Sequence, residues 1–273
     1  MVKKAIIPAA GYGTRGLPIT KVIPKEMFPI GLKPAIHYVV EEAIESGIEQ
    51  ILMIVSKRKN IIVDYFDESL ELEAFLKREN KQHLIEIVPV PTFPIHYIRQ
   101  SYAKGLGDAI RLGKAFIGDE PFAVLLPDDI MLSEKEPALK QLIDQFNTYK
   151  KTIIGVKEVE KSKLKYYGVI SGEEVSKGIF KIDNIVEKPS EHAPSNLAVT
   201  GRYIFTPEIL SLLDLKKAPA EGELQLTDAI KELLFREECY GKVVNSRRFD
   251  IGLHGDYVKL INEFSRINAK RKY

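Results

Sequence analysis

Short apolar runs alternate with longer amphipathic stretches along much of the chain. AIIPAA at 5 to 10, ILMIV at 51 to 55, IHYIRQ at 95 to 100, FAVLL at 122 to 126 and TIIGV at 152 to 156 are runs of strand length, the pattern of strands covered on both faces in a largely parallel sheet. Between the first two lies PAIHYVVEEAIESG, where Ile36, Val39, Val40 and Ala43 share one helical face. Pro34 suits the first turn of that helix and Gly47 its C-terminal cap, so a βαβ unit is expected. Beyond residue 156 the pattern changes to YGVISGEE, GIFKIDNIVEKP and VTGRYIFTPEIL, read as shorter strands broken by turns. A helical LQLTDAIKELLFRE and a last helix from about 255 follow, and this half is expected to pack on the same sheet. Segment 61 to 82 reads as charged and helical. No repeat or low-complexity linker interrupts the 273 residues, so a single α/β domain over 1–273 is expected.

Composition narrows the possibilities. Forty basic residues against 38 acidic ones leave a formal charge of +2, so neither a nucleic-acid surface nor a disordered acidic tail is indicated. The one local bias, AKRKY at the end, reads as a solvated helix terminus. A single cysteine, Cys239, cannot form an intrachain disulfide, and no Cys/His group has zinc spacing. The five histidines read as structural or solvated. The start MVKKAIIPAAGYG is broken by Pro8 and Gly11, which excludes a signal peptide or a membrane span there and leaves the cytoplasm as the expected compartment.

The chemistry gathers first in PAAGYGTRGLP, where Gly11, Gly13 and Gly16 spell G-x-G-x-x-G. A nicotinamide fingerprint needs a helix beginning at the last glycine, with its N–H groups toward the pyrophosphate. Here Pro18, Pro24, Pro29 and Pro34 follow, and each removes a donor and disfavours helical geometry before it. The acidic residue expected about 20 positions on is absent too. What remains is a proline-stiffened loop carrying Arg15, Lys21 and Lys25 at the carboxyl end of the first strand, suited to neutralising a triphosphate. Asp128 and Asp129 follow the strand FAVLL where ligands of open parallel sheets bind, although spacing alone equally allows a turn-forming cap. Asp250 in RRFDIG, and the EKP and YG turns, read as structural when taken singly.

Taken in order, GYGTRGLPITKVIPKEMFPI, HYIRQSYAKGLGDAI, FAVLLPDDI, YGVI, IVEKPSEHAPSNLAVTGRYIFTPEI, GELQLTDAI and RRFDIG give nearly the whole chain a resemblance to the bacterial UTP–glucose-1-phosphate uridylyltransferases, sugar nucleotidyltransferases. The resemblance implies a Rossmann-like nucleotidyltransferase fold with a central, mostly parallel mixed sheet flanked by helices. It implies attack by glucose 1-phosphate on the α-phosphorus of UTP, giving UDP-glucose and pyrophosphate, with Mg²⁺ held by Asp128 and Asp250. Ala9, Ala10, Gly11, Gly13 and Thr14 would bind the nucleotide with Asp129, and Gln100 and Gly105 would read the uracil edge. Arg15, Lys25 and Lys188 would act on the phosphates; Gly168, Glu187 and Gly201 would hold the sugar. Segment 61 to 82 would help pair subunits of a homo-oligomer, a dimer or tetramer. Two departures stand out: Pro127 where the family usually has glycine, and Gly16 where a larger apolar residue is common and whose absence is expected to loosen the loop. A thymidylyltransferase is the near alternative; a metal-dependent UDP-sugar glycosyltransferase and an inactive UDP-glucose sensor are more distant ones.

Overall fold

The computed structural model describes residues 1–87, 93–190, 192–215 and 222–271. Its strands are β1 (Lys4–Ala9), β2 (Pro29–Ile30), β3 (Lys33–Pro34), β4 (Gln50–Val55), β5 (Ile95–Arg99), β6 (Phe122–Leu125), β7 (Asp129–Leu132), β8 (Thr152–Glu158), β9 (Gly168–Ser176), β10 (Ile179–Glu187), β11 (Leu197–Phe205), β12 (Cys239–Val243) and β13 (Arg247–Asp250). Its helices are α1 (Ala35–Glu45), α2 (Asn60–Phe66), α3 (Leu70–Arg78), α4 (Leu106–Leu112), α5 (Lys114–Ile117), α6 (Ala138–Tyr149), α7 (Glu208–Leu215), α8 (Leu226–Leu234) and α9 (His254–Arg271).

Nine strands form one sheet in the order β5-β4-β1-β6-β11-β8-β12-β10-β9. The first four pair in parallel, as continuous apolar runs require when both faces are covered. From β11 onward most pairings are antiparallel, with β8 and β12 the parallel exception. The sheet is therefore mixed in its second half rather than largely parallel throughout. The runs read as shorter strands are corrected as well. β9, β10 and β11 have nine residues each, the longest of the described strands. β11 is buried along its whole length between two apolar layers, so Thr200, Gly201 and Arg202, which look like interruptions in sequence, sit inside the sheet. A register shift between Val199 and Tyr203 accommodates them as an irregularity opposite β8.

Two apolar layers cover the sheet. α1 and α6 pack on one face through Ile36, Val39, Val40, Leu139 and Leu142, while α4, α7 and α8 pack on the other through Ile110, Leu213 and Ile230. α1 begins at Ala35 directly after Pro34, and Gly47 beyond its end has φ 89°, a left-handed conformation that glycine adopts without the strain of a Cβ. Segment 61 to 82 supplies α2 and α3, as its pattern predicts. The basic C-terminal end lies outside the residues whose side chains are described. Among the described residues no helix is long and apolar enough to cross a membrane.

Candidate active site

β1 ends at the fully buried Ala9, Ala10 is nearly as covered, and the chain leaves the sheet through Gly11 and Gly13. No α-helix begins there. The prolines divide the segment into three short 3₁₀ turns, Thr14–Gly16, Ile19–Lys21 and Lys25–Met27, so the third glycine has no helix terminus behind it. The Thr20 hydroxyl donates to the Gly13 carbonyl at 2.8 Å. A Cβ on Gly16 would lie 2.7 Å from the Thr20 methyl. Gly16 therefore does not loosen the loop; its missing side chain lets Thr20 close over it.

The tight turn after β6 carries Asp128, and β13 lies antiparallel to β7 with Asp250 opposite Asp129. Asp250 thus meets Asp128 and Asp129, from which it is remote in sequence, at the carboxyl end of the parallel strands. Lys25 forms an ion pair with Asp128, while Arg15 spans the gap, 3.9 Å from Asp128 and 3.4 Å from Asp250. Burial raises the cost of the Asp128 charge, but Lys25 and Arg15 outweigh it and bring its pKa down to about 2. Burial likewise opposes the Lys25 ammonium, and Asp128 and Glu26 still hold its pKa above the ordinary lysine value. Asp250, buried and close to Asp128, is pushed up despite Arg15. Burial is the larger cause for Asp250 and the Asp128 charge the second, while only Asp128 has Lys25 beside it to reverse the effect.

Asp129 is differently employed. Its two oxygens accept from Arg248 at 2.6 and 3.0 Å, and the Arg248 guanidinium stacks 4.0 Å from the centroid of Tyr167. Both members of this ion pair are buried, a setting in which each depends on the other. Asp129, expected near the nucleotide, lines a cleft of about 230 Å³ with its carboxylate engaged by Arg248.

That cleft also brings Arg15, Asp128, Gly168, Glu187, Lys188, Gly201 and Asp250 together. Glu187 accepts from the Thr227 hydroxyl at 2.7 Å and lies 3.3 Å from the Lys188 ammonium. Lys188 has φ 44°, and its backbone N–H bonds the Tyr167 carbonyl at 3.0 Å. This unusual backbone turns Glu187 and Lys188 toward the same space. Gly201 has φ 67°, and a Cβ there would lie 2.6 Å from the Asp129 carboxylate, so glycine is required independently of any ligand. Gly168 is looser, its would-be Cβ 3.4 Å from Glu187.

Gln100 and Gly105 lie beside this cleft rather than in its lining. The buried Gln100 amide donates to Asp108 at 2.8 Å and to the Gly105 carbonyl at 3.3 Å. Asp108 is in turn held by Arg111 at 2.8 Å. Gly105 caps α4 with φ 100°, where a Cβ would lie 2.6 Å from the Leu224 carbonyl. On the loop side, Gly11, Gly13, Thr14, Lys21, Lys25 and Arg58 line a second hollow of about 160 Å³ with a surplus of positive charge.

Sequence reasoning assigns no role to Arg248, Tyr167, Thr227 or Asp108. One signal was present: Arg248 and Asp250 alternate along a strand and so share a face. The fit of a divalent cation can be judged from the donors. Asp128 and Asp250 offer hard carboxylate oxygens around one gap, now bridged by Arg15. Mg²⁺ takes one or two carboxylates and completes its shell with water and phosphate. The residues fit it, whereas among the described residues no group of three or more His, Cys, Asp or Glu side chains forms a complete protein cage.

Comparison with known proteins covers the same span. The nucleotidyl transferase family model matches residues 4–266. A Bacillus subtilis (strain 168) protein provisionally named a UTP–glucose-1-phosphate uridylyltransferase is 59% identical over 261 residues, 96% of each chain. A second protein of that strain, named UTP–glucose-1-phosphate uridylyltransferase, is 46% identical over 97% of this chain and 91% of its own. A crystal structure of UDP-glucose pyrophosphorylase complexed with UDP-glucose superposes with a TM-score of 0.87 at 42% identity, covering 97% of this chain and 99% of the other.

Proposed function

This chain belongs to the nucleotidyl transferase family, and we infer that within it the chain transfers a uridylyl group from UTP to glucose 1-phosphate, releasing UDP-glucose and pyrophosphate. The observation that carries this reading is the meeting of Asp128 and Asp250 around Arg15, with Lys25 on one side and the Glu187–Lys188 pair on the other.

Both reactants are polyanions, so the protein must first suppress their repulsion. Arg15 and Lys25 neutralise the triphosphate as the chain closes around it through Gly11, Gly13 and Thr14. Ala9 and Ala10 carry the backbone edge beneath the nucleoside, and Gln100, fixed by Asp108, reads the base beside Gly105. Glu187, held by Thr227, accepts from sugar hydroxyls between Gly168 and Gly201. Lys188 steadies the sugar phosphate so that its oxygen faces the α-phosphorus, a gain of orientation rather than of covalent chemistry. Asp129 supports the floor through Arg248. Asp128 and Asp250 would hold Mg²⁺, which would supply stabilisation of the charge on the leaving pyrophosphate. The bond from the sugar phosphate oxygen to the α-phosphorus forms as the α–β bridging bond breaks, and no group on the protein is modified.

The chain acts as one domain over residues 1–273, in the cytoplasm, with no membrane or nucleic-acid partner. Copies pair through segment 61 to 82, where α3 leaves Leu70, Leu72 and Phe75 exposed. The thymidylyltransferase alternative differs by a methyl group and a ribose hydroxyl, and the PKEM and APSN-x-A-x-x-GRY blocks favour uridine. The test is pyrophosphate release from each nucleoside triphosphate and dTTP with glucose 1-phosphate. UTP should dominate; preferred release from dTTP, or none from UTP, would overturn the assignment.

A further inference from the structure

Arg202 heads the largest fully buried side chains of the described protein, and a buried guanidinium persists only where its charge and donors are met. Glu42 of α1 meets the charge. Its carboxylate takes Nε at 3.1 and 3.2 Å and the terminal nitrogen Nη2 at 2.7 Å, and is itself tied to the Leu139 N–H at 3.0 Å. The remaining donors reach the aspartate turn. Nη2 bonds the Asp129 carbonyl at 2.8 Å, and Nη1 bonds the Leu126 carbonyl at 3.1 Å.

Those two carbonyls bracket Pro127 and Asp128. Proline brings no N–H to this turn, and the turn's own bond, from the Asp129 N–H to the Leu126 carbonyl, is long at 3.4 Å. The planar guanidinium thus fixes the spacing across the turn that the local backbone holds weakly. Gly201, with φ 67°, gives the turn its other anchor by accepting the Leu126 N–H at 2.8 Å.

We propose that Arg202, anchored by Glu42, is a positioning residue that aims the Asp128 carboxylate by clamping the carbonyls of Leu126 and Asp129. This rests on the assignment of Asp128 to the reaction. Arg202 touches no substrate; it acts through backbone. Where the family usually has glycine, the clamp gives the proline-containing turn its fixed shape.

Arg202→Lys tests it, because an ammonium keeps the charge for Glu42 but cannot span both carbonyls. Turnover per active site, counted from the single-turnover amplitude, should fall on the order of 10- to 100-fold, while KM for glucose 1-phosphate stays within about twofold. Glu42→Asp, which keeps both charges but draws the guanidinium back, is the second variant and should give a smaller loss of the same kind. A strut with no positioning role would lower the melting temperature or the active fraction and leave turnover per active site at the wild-type value. That result in either folded variant overturns the proposal. Asp128→Asn separates the two readings: full activity in it sinks the site assignment, whereas an inactive Asp128→Asn beside a fully active Arg202→Lys sinks the clamp alone.

Discussion

At the scale of single residues, the site is a balance between three carboxylates and the cations that face them. Lys25 and Arg15 already occupy the carboxylates expected to share a divalent ion, so substrate and ion must re-partner these groups rather than fill a vacant charge. Lys188 is exposed, as is Arg15, and among the described residues its ion pair is with Glu187. Lys188→Ala should lower turnover on the order of 100- to 1000-fold with little change in melting temperature, as steady-state kinetics beside thermal unfolding would reveal. Gly201→Ala should do both. Its φ of 67° and a Cβ 2.6 Å from the Asp129 carboxylate predict a loss of about 2 kcal/mol or more in chemical unfolding, with a drop in activity. The residue types were legible in sequence because phosphate chemistry demands glycines, fixed cations and acids at strand ends. Their internal partners were not. Nothing in the spacing of Asp129 says that its carboxylate is held by Arg248, and nothing in the G-x-G-x-x-G pattern says that Thr20 fills the place of a side chain at Gly16.

At the scale of elements, the parallel half of the sheet was readable because continuous apolar runs have one explanation in a chain of this size. The second half was not, since polar residues inside β11 break the apolar pattern although the strand is buried throughout. Gly201 and Arg202 bond the aspartate turn from within a strand that the pattern reads as a shorter one. α1 carries a second consequence. The buried His37 ring lies 2.9 Å from Glu41 and 2.9 Å from the Tyr65 hydroxyl. Burial holds its pKa below the ordinary 6.5, against the pull of Glu41. The unfolded chain therefore takes up the proton first as pH falls, so the stability contributed by neutral His37 is complete above about 6.5 and is lost progressively below it. Melting temperatures recorded between about pH 7.5 and 5.5 should fall less steeply for His37→Gln than for the wild type; parallel slopes would contradict the sign.

At the scale of the whole molecule, the sheet order brings residues from opposite ends of the chain to one edge of the parallel strands. β1 and β6 are neighbours in the sheet, and β13 reaches the same place by pairing with β7. Asp250 therefore joins Asp128 only because the last strand folds back over the first half, a long-range fact that no local motif carries. If copies pair through α3 as proposed, Phe75→Glu should shift the solution mass toward the monomer in sedimentation, with turnover retained. The proposed uridylyl transfer depends on a cation position shared by Asp128 and Asp250. Its most direct test is UDP-glucose formation from UTP and glucose 1-phosphate in a single turnover, with and without Mg²⁺, by the wild type, Asp128→Asn and Asp250→Asn. Product should require Mg²⁺, and each variant should slow its formation on the order of 100-fold or more. Wild-type rates in both folded variants, or equal rates after the metal is chelated, would contradict it.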